Sequence, residues 1–211
     1  MSTPPNKIWL YRITHYQNIP HILQYGLVTA NSKNTNAAFV SIGDNSLIQT
    51  RKKIEVTIAP FGNLSDYIPF YFGPHSPMLL QIKTGDQGVT QRPQSEIVYL
   101  ISSLNAIEQN NCKYIFFDGH AWDKMSLPYS NKTDLDKIEW SVVKGKQWNN
   151  TEEHIDRKRR KQAELLVHSH VPITCIEHIV AYDKNMYKFV QAEISKRGLK
   201  IATTESQKIY Y

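Results

Sequence analysis

The chain is short of cysteine, of glycine and of long apolar runs. Two cysteines, Cys112 and Cys175, stand among 211 residues, in no CxxC pair and at no scaffold spacing. That excludes a disulfide framework, and both thiols are expected to be reduced and buried. No stretch approaches the ~18 uncharged apolar residues of a membrane span. The opening MSTPPNKIWLYRITHYQN lacks the apolar region of a signal peptide. The expected location is therefore cytoplasmic, with no membrane partner. None of the nine glycines falls in GxGxxG, GxxxxGK[ST] or GxSxG, so the Rossmann, P-loop and hydrolase-elbow readings have no support. Acidic residues are outnumbered 19 to 25, giving a net charge of +6. That balance suits a polyanionic partner such as nucleic acid; a lysine excess that merely aids solubility gives the same number.

What is present reads as one α+β domain spanning 1–211, with an apolar content of 41% and a mean hydropathy of −0.46 that leaves much chain for loops. Strands are expected at 8–13, 78–83, 96–101, 114–117, 163–168 and 178–182 from their β-branched and aromatic content. Helices are expected at 17–26, 45–54, 102–111 and 184–197. Gly26 ends the first, and Ser102 or Ser103 caps the third. Residues 31–45 and 118–150 read as long loops. The aromatic, proline-punctuated stretch from 67 suits no regular element. A domain that spends this much chain on loops is expected to hold a sizeable ligand.

Several residues carry chemistry in more than one reading. His168 and His170 have strand spacing, but no third ligand lies nearby, so no metal site is expected. Arg12 and Thr14 share a strand face in YRITH, where they suit a cleft; His15 equally suits a cap for the following turn. Arg51 follows Leu47 and Ile48 on a helix and matters only if the preceding loop folds over a ligand. Tyr71, between prolines, is the aromatic best suited to a pocket. Glu164 interrupts the passage from the cations Arg157–Lys161 to the apolar Leu165–Leu166–Val167. Its carboxylate is either paired with Arg157 or Lys161, or it is functional.

In combination these stretches become specific. YRITHYQNI, SIGDNSLIQTR, DYIPFYFGPHSPML, FFDGHAW and RRKQAELLV, in this order, resemble the DarT family of bacterial DNA ADP-ribosyltransferase toxins. The resemblance implies an ADP-ribosyltransferase fold: a split mixed β core around a cleft for NAD, the co-substrate, with no metal. It implies that Arg51 and Glu164 are catalytic. Arg12, Ile13, Thr14, His15, Asn31, Arg51 and Tyr71 would contact NAD, and 31–53 would be the NAD-covering element. Residues 118–163 would be the substrate-recognising turn-turn loop. The chain departs from the family pattern at Arg12, where many relatives carry histidine, and at His75, where many carry arginine.

The implied reaction moves ADP-ribose from NAD onto a base of single-stranded DNA, with thymine N3 the family's target. Base pairing hides N3, so the substrate must be unpaired or flipped. His120, Trp148, Arg157, Arg159 and Arg160 are the expected DNA contacts. Lys158 and Lys161 extend the basic run, and Trp122 and Trp140 are further candidates for stacking. A macrodomain antitoxin of the DarG type is the implied partner. The same chemistry on guanine, RNA or protein, or a non-catalytic nucleic-acid module, are the competing expectations.

Overall fold

A computed structural model describes residues 2–211. In chain order the elements are β1 (Trp9–His15), α1 (Ile19–Tyr25), β2 (Leu27–Val28), α2 (Asn45–Arg51), β3 (Tyr67–Tyr71), α3 (Pro77–Thr84), β4 (Ile97–Ser103), α4 (Leu104–Gln109), β5 (Tyr114–Phe117) and β6 (Pro128–Tyr129). They continue with α5 (Trp140–Lys144), α6 (Arg157–Lys161), β7 (Glu164–His168), β8 (His170–Val171), β9 (His178–Ala181), α7 (Lys184–Lys196) and β10 (Ala202–Glu205).

Eight strands form one sheet in the order β10-β9-β4-β1-β3-β7-β5-β6, and β2 pairs with β8. Only β9 and β10 run parallel; the other pairs of the large sheet are antiparallel. The sheet is split in the middle. β1 pairs with β4 along its whole length, Trp9↔Ser103 to His15↔Ile97, but meets β3 at the single position Tyr11↔Tyr71. Pro69 explains how β3 tolerates a proline. Its carbonyl faces β1 and accepts from Arg12 Nη1 at 2.9 Å, so its missing N–H lies on the same, unladdered side.

Helices cover both faces. Leu10, with α1 residues Ile19, Ile22 and Leu23, α4 residues Leu104 and Ile107, and α7 residues Val190 and Ile194, builds the larger core. Ile13 points the other way, onto Leu79 and Ile82 of α3. Each such buried Leu or Ile is worth roughly 1.5–3 kcal/mol relative to exposure. α7 forms because Asp183 caps Met186 N–H at 2.9 Å and because Val190 and Ile194 are spaced four apart.

Two expectations are overturned here. Residues 78–83 are helical, not a strand. Ser76 accepts from Leu79 N–H, Pro77 opens the first turn, and Gly85 ends the helix at φ 73°. A capped start and a left-handed stop outweigh the β-propensity of MLLQIK. The stretch from 67 is partly regular after all, because β3 lies within it. The 118–150 region likewise contains β6 and α5. Strand β10 had no counterpart in the sequence reading; its pattern is largely exposed, so no apolar alternation signals it. Cys175 is buried while Cys112 is only half-buried; the free sulfurs lie 3.9 Å apart.

Candidate active site

Glu164 is the first residue of β7, placed between Tyr71 of β3 and Phe117 of β5. Tyr11, Tyr71, Glu164 and Phe117 therefore form a row across the sheet, and the row crosses the split. Glu164 is 2% exposed. Its carboxylate does not pair with Arg157 or Lys161. Oε1 accepts from the backbone N–H of Ala121 at 2.8 Å, and Arg51 Nη1 lies 3.5 and 3.4 Å from the two oxygens. The N–H contact is short and the arginine contact long, so one oxygen is fixed and the other is open to a further donor.

Arg51 arrives on the last turn of α2, which Asp44 caps by accepting from Ser46 N–H at 2.7 Å. Its Nη2 is buried and unpartnered among the described residues. The preceding loop is attached to the body by Asn18. The Asn18 amide donates to Val40 O at 2.9 Å and to Thr14 Oγ1 at 3.1 Å, and its oxygen accepts from Val40 N–H at 2.9 Å. Asn18 is not among the expected site residues; its amide is fully buried, which no sequence pattern announces.

The surrounding charges are shifted. Burial, then repulsion by Arg51, lowers the Arg12 guanidinium to about 10; Tyr71 and Glu164 oppose this. Burial and the Glu164 carboxylate push the Tyr71 hydroxyl up. Burial lowers His120, with Glu164 opposing and Arg51 adding to the effect. Arg12, Tyr71, Arg51, His120 and Glu164 thus feel one another at a single place.

The other expected residues disperse. Ile13 packs its side chain into the core. His15 caps the turn after β1: Nδ1 accepts from Gln17 N–H at 3.3 Å, which leaves Nε2–H to donate to Glu96 Oε2 at 3.2 Å. Asn31 donates to Asp66 Oδ1 at 3.0 Å on the surface. His168 and His170 do not share a face as a ligand pair. Ser169, at φ 57°, separates them; His168 packs on Tyr67 and His170 bonds Tyr25 O. Among the described residues no three His, Cys, Asp or Glu side chains gather as metal ligands.

A cleft of about 790 Å³ opens beside His120, between α3 and the segments carrying Trp122, Trp148, Lys158 and Arg159. Trp122 is 50% exposed, whereas Trp140 is buried in the core, so Trp140 is unavailable for stacking. The basic run forms one helical turn and divides by role. Lys158 is exposed, with Nζ 5.6 Å from the Trp148 ring. Arg159 and Arg160 are engaged by Asp156, Asp118 and Glu139. Arg157 is half-buried and lies outside the cleft lining. Lys161 is 3% exposed; its ammonium donates to the carbonyls of Val143 at 2.7 Å, Gly145 at 2.5 Å and Pro74 at 3.3 Å. Lys161 is thus interior.

The profile of a family described as "ssDNA thymidine ADP-ribosyltransferase, DarT" matches residues 11–211, a span that includes Arg51, Ala121 and Glu164. The chain belongs to the DarT family. It is 33% identical over 198 residues to the DNA ADP-ribosyl transferase of Escherichia coli O127:H6, covering 94% of this chain and 91% of that protein. The solved DarT of Thermus sp. 2.9 in complex with ADP-ribosylated ssDNA superposes with a TM-score of 0.91 at 28% identity, each chain covered in full. The NAD⁺ complex of the same Thermus protein gives 0.85 at 27% identity, covering 99% of this chain and 100% of that one. A Thermosipho africanus DNA ADP-ribosyl transferase–DNA ADP-ribosyl glycohydrolase fusion protein is 24% identical over 193 residues, 91% of this chain and 47% of the fusion. The α+β ADP-ribosyltransferase fold expected of a DarT-family chain is therefore the fold observed.

Proposed function

We propose that this DarT-family enzyme transfers ADP-ribose from NAD onto thymine N3 in single-stranded DNA. The observation that carries the proposal is Glu164: buried at the split, one oxygen held by Ala121 N–H, and Arg51 at 3.4 Å. In the reaction the bond between nicotinamide and the ribose C1′ breaks, nicotinamide leaves with the bonding electrons, and thymine N3 forms a new bond to C1′ as its proton passes to solvent water. The transition state carries positive charge on the ribose. A carboxylate that accepts from the ribose 2′-OH stabilises that charge, and this is the role assigned to Glu164. Arg51 is a poor proton acceptor, because a guanidinium presents only N–H donors and no acceptor lone pair. Its assigned role is that of a fixed cation that stabilises the deprotonated base or a phosphate.

Arg12, Thr14 and Tyr71, at the split, are the proposed NAD contacts beside Arg51, and His15, Ile13 and Asn31 shape the segments around them. Residues 31–53 serve as the covering element. The cleft lined by His120, Trp122, Trp148 and Lys158 is the proposed DNA path, with the rings stacking bases and Lys158 meeting phosphate. Arg157 contributes positive potential at its margin, whereas Arg160 is engaged by Glu139 and Asp156. We assign the protein to the cytoplasm as the toxin of a toxin–antitoxin pair: base adducts on template DNA block replication, and a macrodomain antitoxin of the DarG type removes them. The fused glycohydrolase of the Thermosipho relative supports that pairing.

The test incubates the protein with NAD and short oligonucleotides of defined sequence and weighs the products. One added ADP-ribose on thymine-containing single strands, lost in Glu164→Ala, is the expected result. An adduct on guanine-only strands, RNA or protein would move the target; DNA binding with no NAD consumed would favour a binding module.

A further inference from the structure

We propose that Arg159 is a positioning residue for the catalytic carboxylate rather than a phosphate contact; this rests on the reading of Glu164 given above. The Glu164 carboxylate depends on the N–H of Ala121, and Ala121 sits in an irregular segment between β5 and β6 with no strand ladder to fix it. Arg159 supplies the fixing. Its Nη1 donates to Asp118 Oδ1 and to Ser126 Oγ, both at 3.2 Å, which ties the two ends of the segment together. Its carbonyl accepts from His120 N–H at 3.2 Å, one residue before Ala121. Nε and Nη2 are held by Asp156, at 3.0 and 2.7 Å. Asp118 also accepts from Leu127 N–H at 2.9 Å.

Gly119 reports how closely the segment is pressed onto this side chain. A Cβ at that position would overlap Arg159 Nη1 and Ser126 Oγ. Every guanidinium nitrogen is engaged, and one cation is matched by two carboxylates. Arg160 shares Asp156, so the two arginines and the two aspartates balance in charge and Arg159 keeps no free donor for a phosphodiester. Lys158, one residue earlier, differs on each count. It is exposed, lines the cleft, and pairs with no carboxylate among the described residues. Neighbouring cations thus do different work: Lys158 faces substrate, and Arg159 holds the backbone donor that orients Glu164.

The experiment compares wild type, Arg159→Gln and Lys158→Gln in three assays: kcat and KM for an oligonucleotide, NAD hydrolysis without DNA, and the salt dependence of DNA binding. For Arg159→Gln, kcat and DNA-free NAD hydrolysis should fall together by about 10-fold or more, since a small displacement of a catalytic group is costly. KM for DNA and the salt slope should not move. Lys158→Gln should instead raise KM for DNA and reduce the slope by about 1. A higher KM, a reduced slope and intact NAD hydrolysis in Arg159→Gln would overturn the assignment. Should Arg159→Gln fail to fold, Gly119→Ala, which keeps the charge and displaces the segment, must show the same kcat loss; a wild-type kcat would refute the proposal. If wild type modifies no DNA yet hydrolyses NAD, the DNA reading falls while the hydrolysis arm still decides the role of Arg159.

Discussion

Replacing the interior Lys161 by methionine should change stability little at neutral pH and strongly at pH 10. The ammonium is 3% exposed, and burial lowers its pKa from 10.5 to about 8. A fall of about 2.5 units corresponds to a cost of about 3 kcal/mol for keeping the charge in the fold. Against this stand its bonds to Val143, Gly145 and Pro74, each worth about 1 kcal/mol net. At pH 7 the two nearly cancel, so Lys161→Met should unfold within about 1 kcal/mol of wild type. The folded pKa lies below the unfolded one. Between pH 8 and 10.5 the unfolded chain binds the extra proton, so stability from this group rises with pH. Near pH 10 the wild type should therefore lead by about 2–3 kcal/mol, or roughly 5–10 °C in melting temperature for a chain of this size. Thermal melts of both proteins at the two pH values give the difference directly, since the remaining titrations cancel. A gap that stays constant or narrows at pH 10 would refute the reasoning, because it would mean that the three carbonyls outweigh burial.

Gly73→Ala should destabilise by more than about 2 kcal/mol in chemical denaturation, because its Cβ would strike the Val143 carbonyl, a backbone atom that cannot rotate away. Arg51→Lys should keep measurable transfer in the oligonucleotide assay, while Arg51→Ala should lose it; equal loss in both would count against a purely electrostatic role. Burial depresses His15 despite Glu96. The unfolded chain then protonates first, so this contribution is present above the unfolded pKa near 6.5 and fades as pH falls below it. Wild type should lose more stability than His15→Gln between pH 7 and 5 in matched melts.

Much of this site was legible before any geometry. QAELLV announced a carboxylate at a strand mouth, and the order of motifs assigned Arg51 and Glu164 to one reaction. Backbone groups were not legible. The Ala121 N–H that holds Glu164 has no side-chain signature, and only Gly119, where the segment is pressed against Arg159, marks the spot. The basic run misleads for a related reason. Formal charge is the same for all five cations, but Lys161 is interior, Arg159 and Arg160 are neutralised by Asp156, Asp118 and Glu139, and only folding brings those acids from as far as Asp118. At 78–83 the Ser76–Pro77 start and the Gly85 stop outweigh the strand propensity of MLLQIK.

The single rung between Tyr11 and Tyr71 has a consequence for how the protein responds to what it binds. Between the two four-stranded halves the backbone ladder shrinks to one register position, supplemented by one arginine bond to Pro69. A molecule lodged across that seam acts as a splint. It adds the stiffness that the missing ladder would have supplied, so its effect on slow amide exchange should extend through β1 and β3 well beyond the atoms it touches.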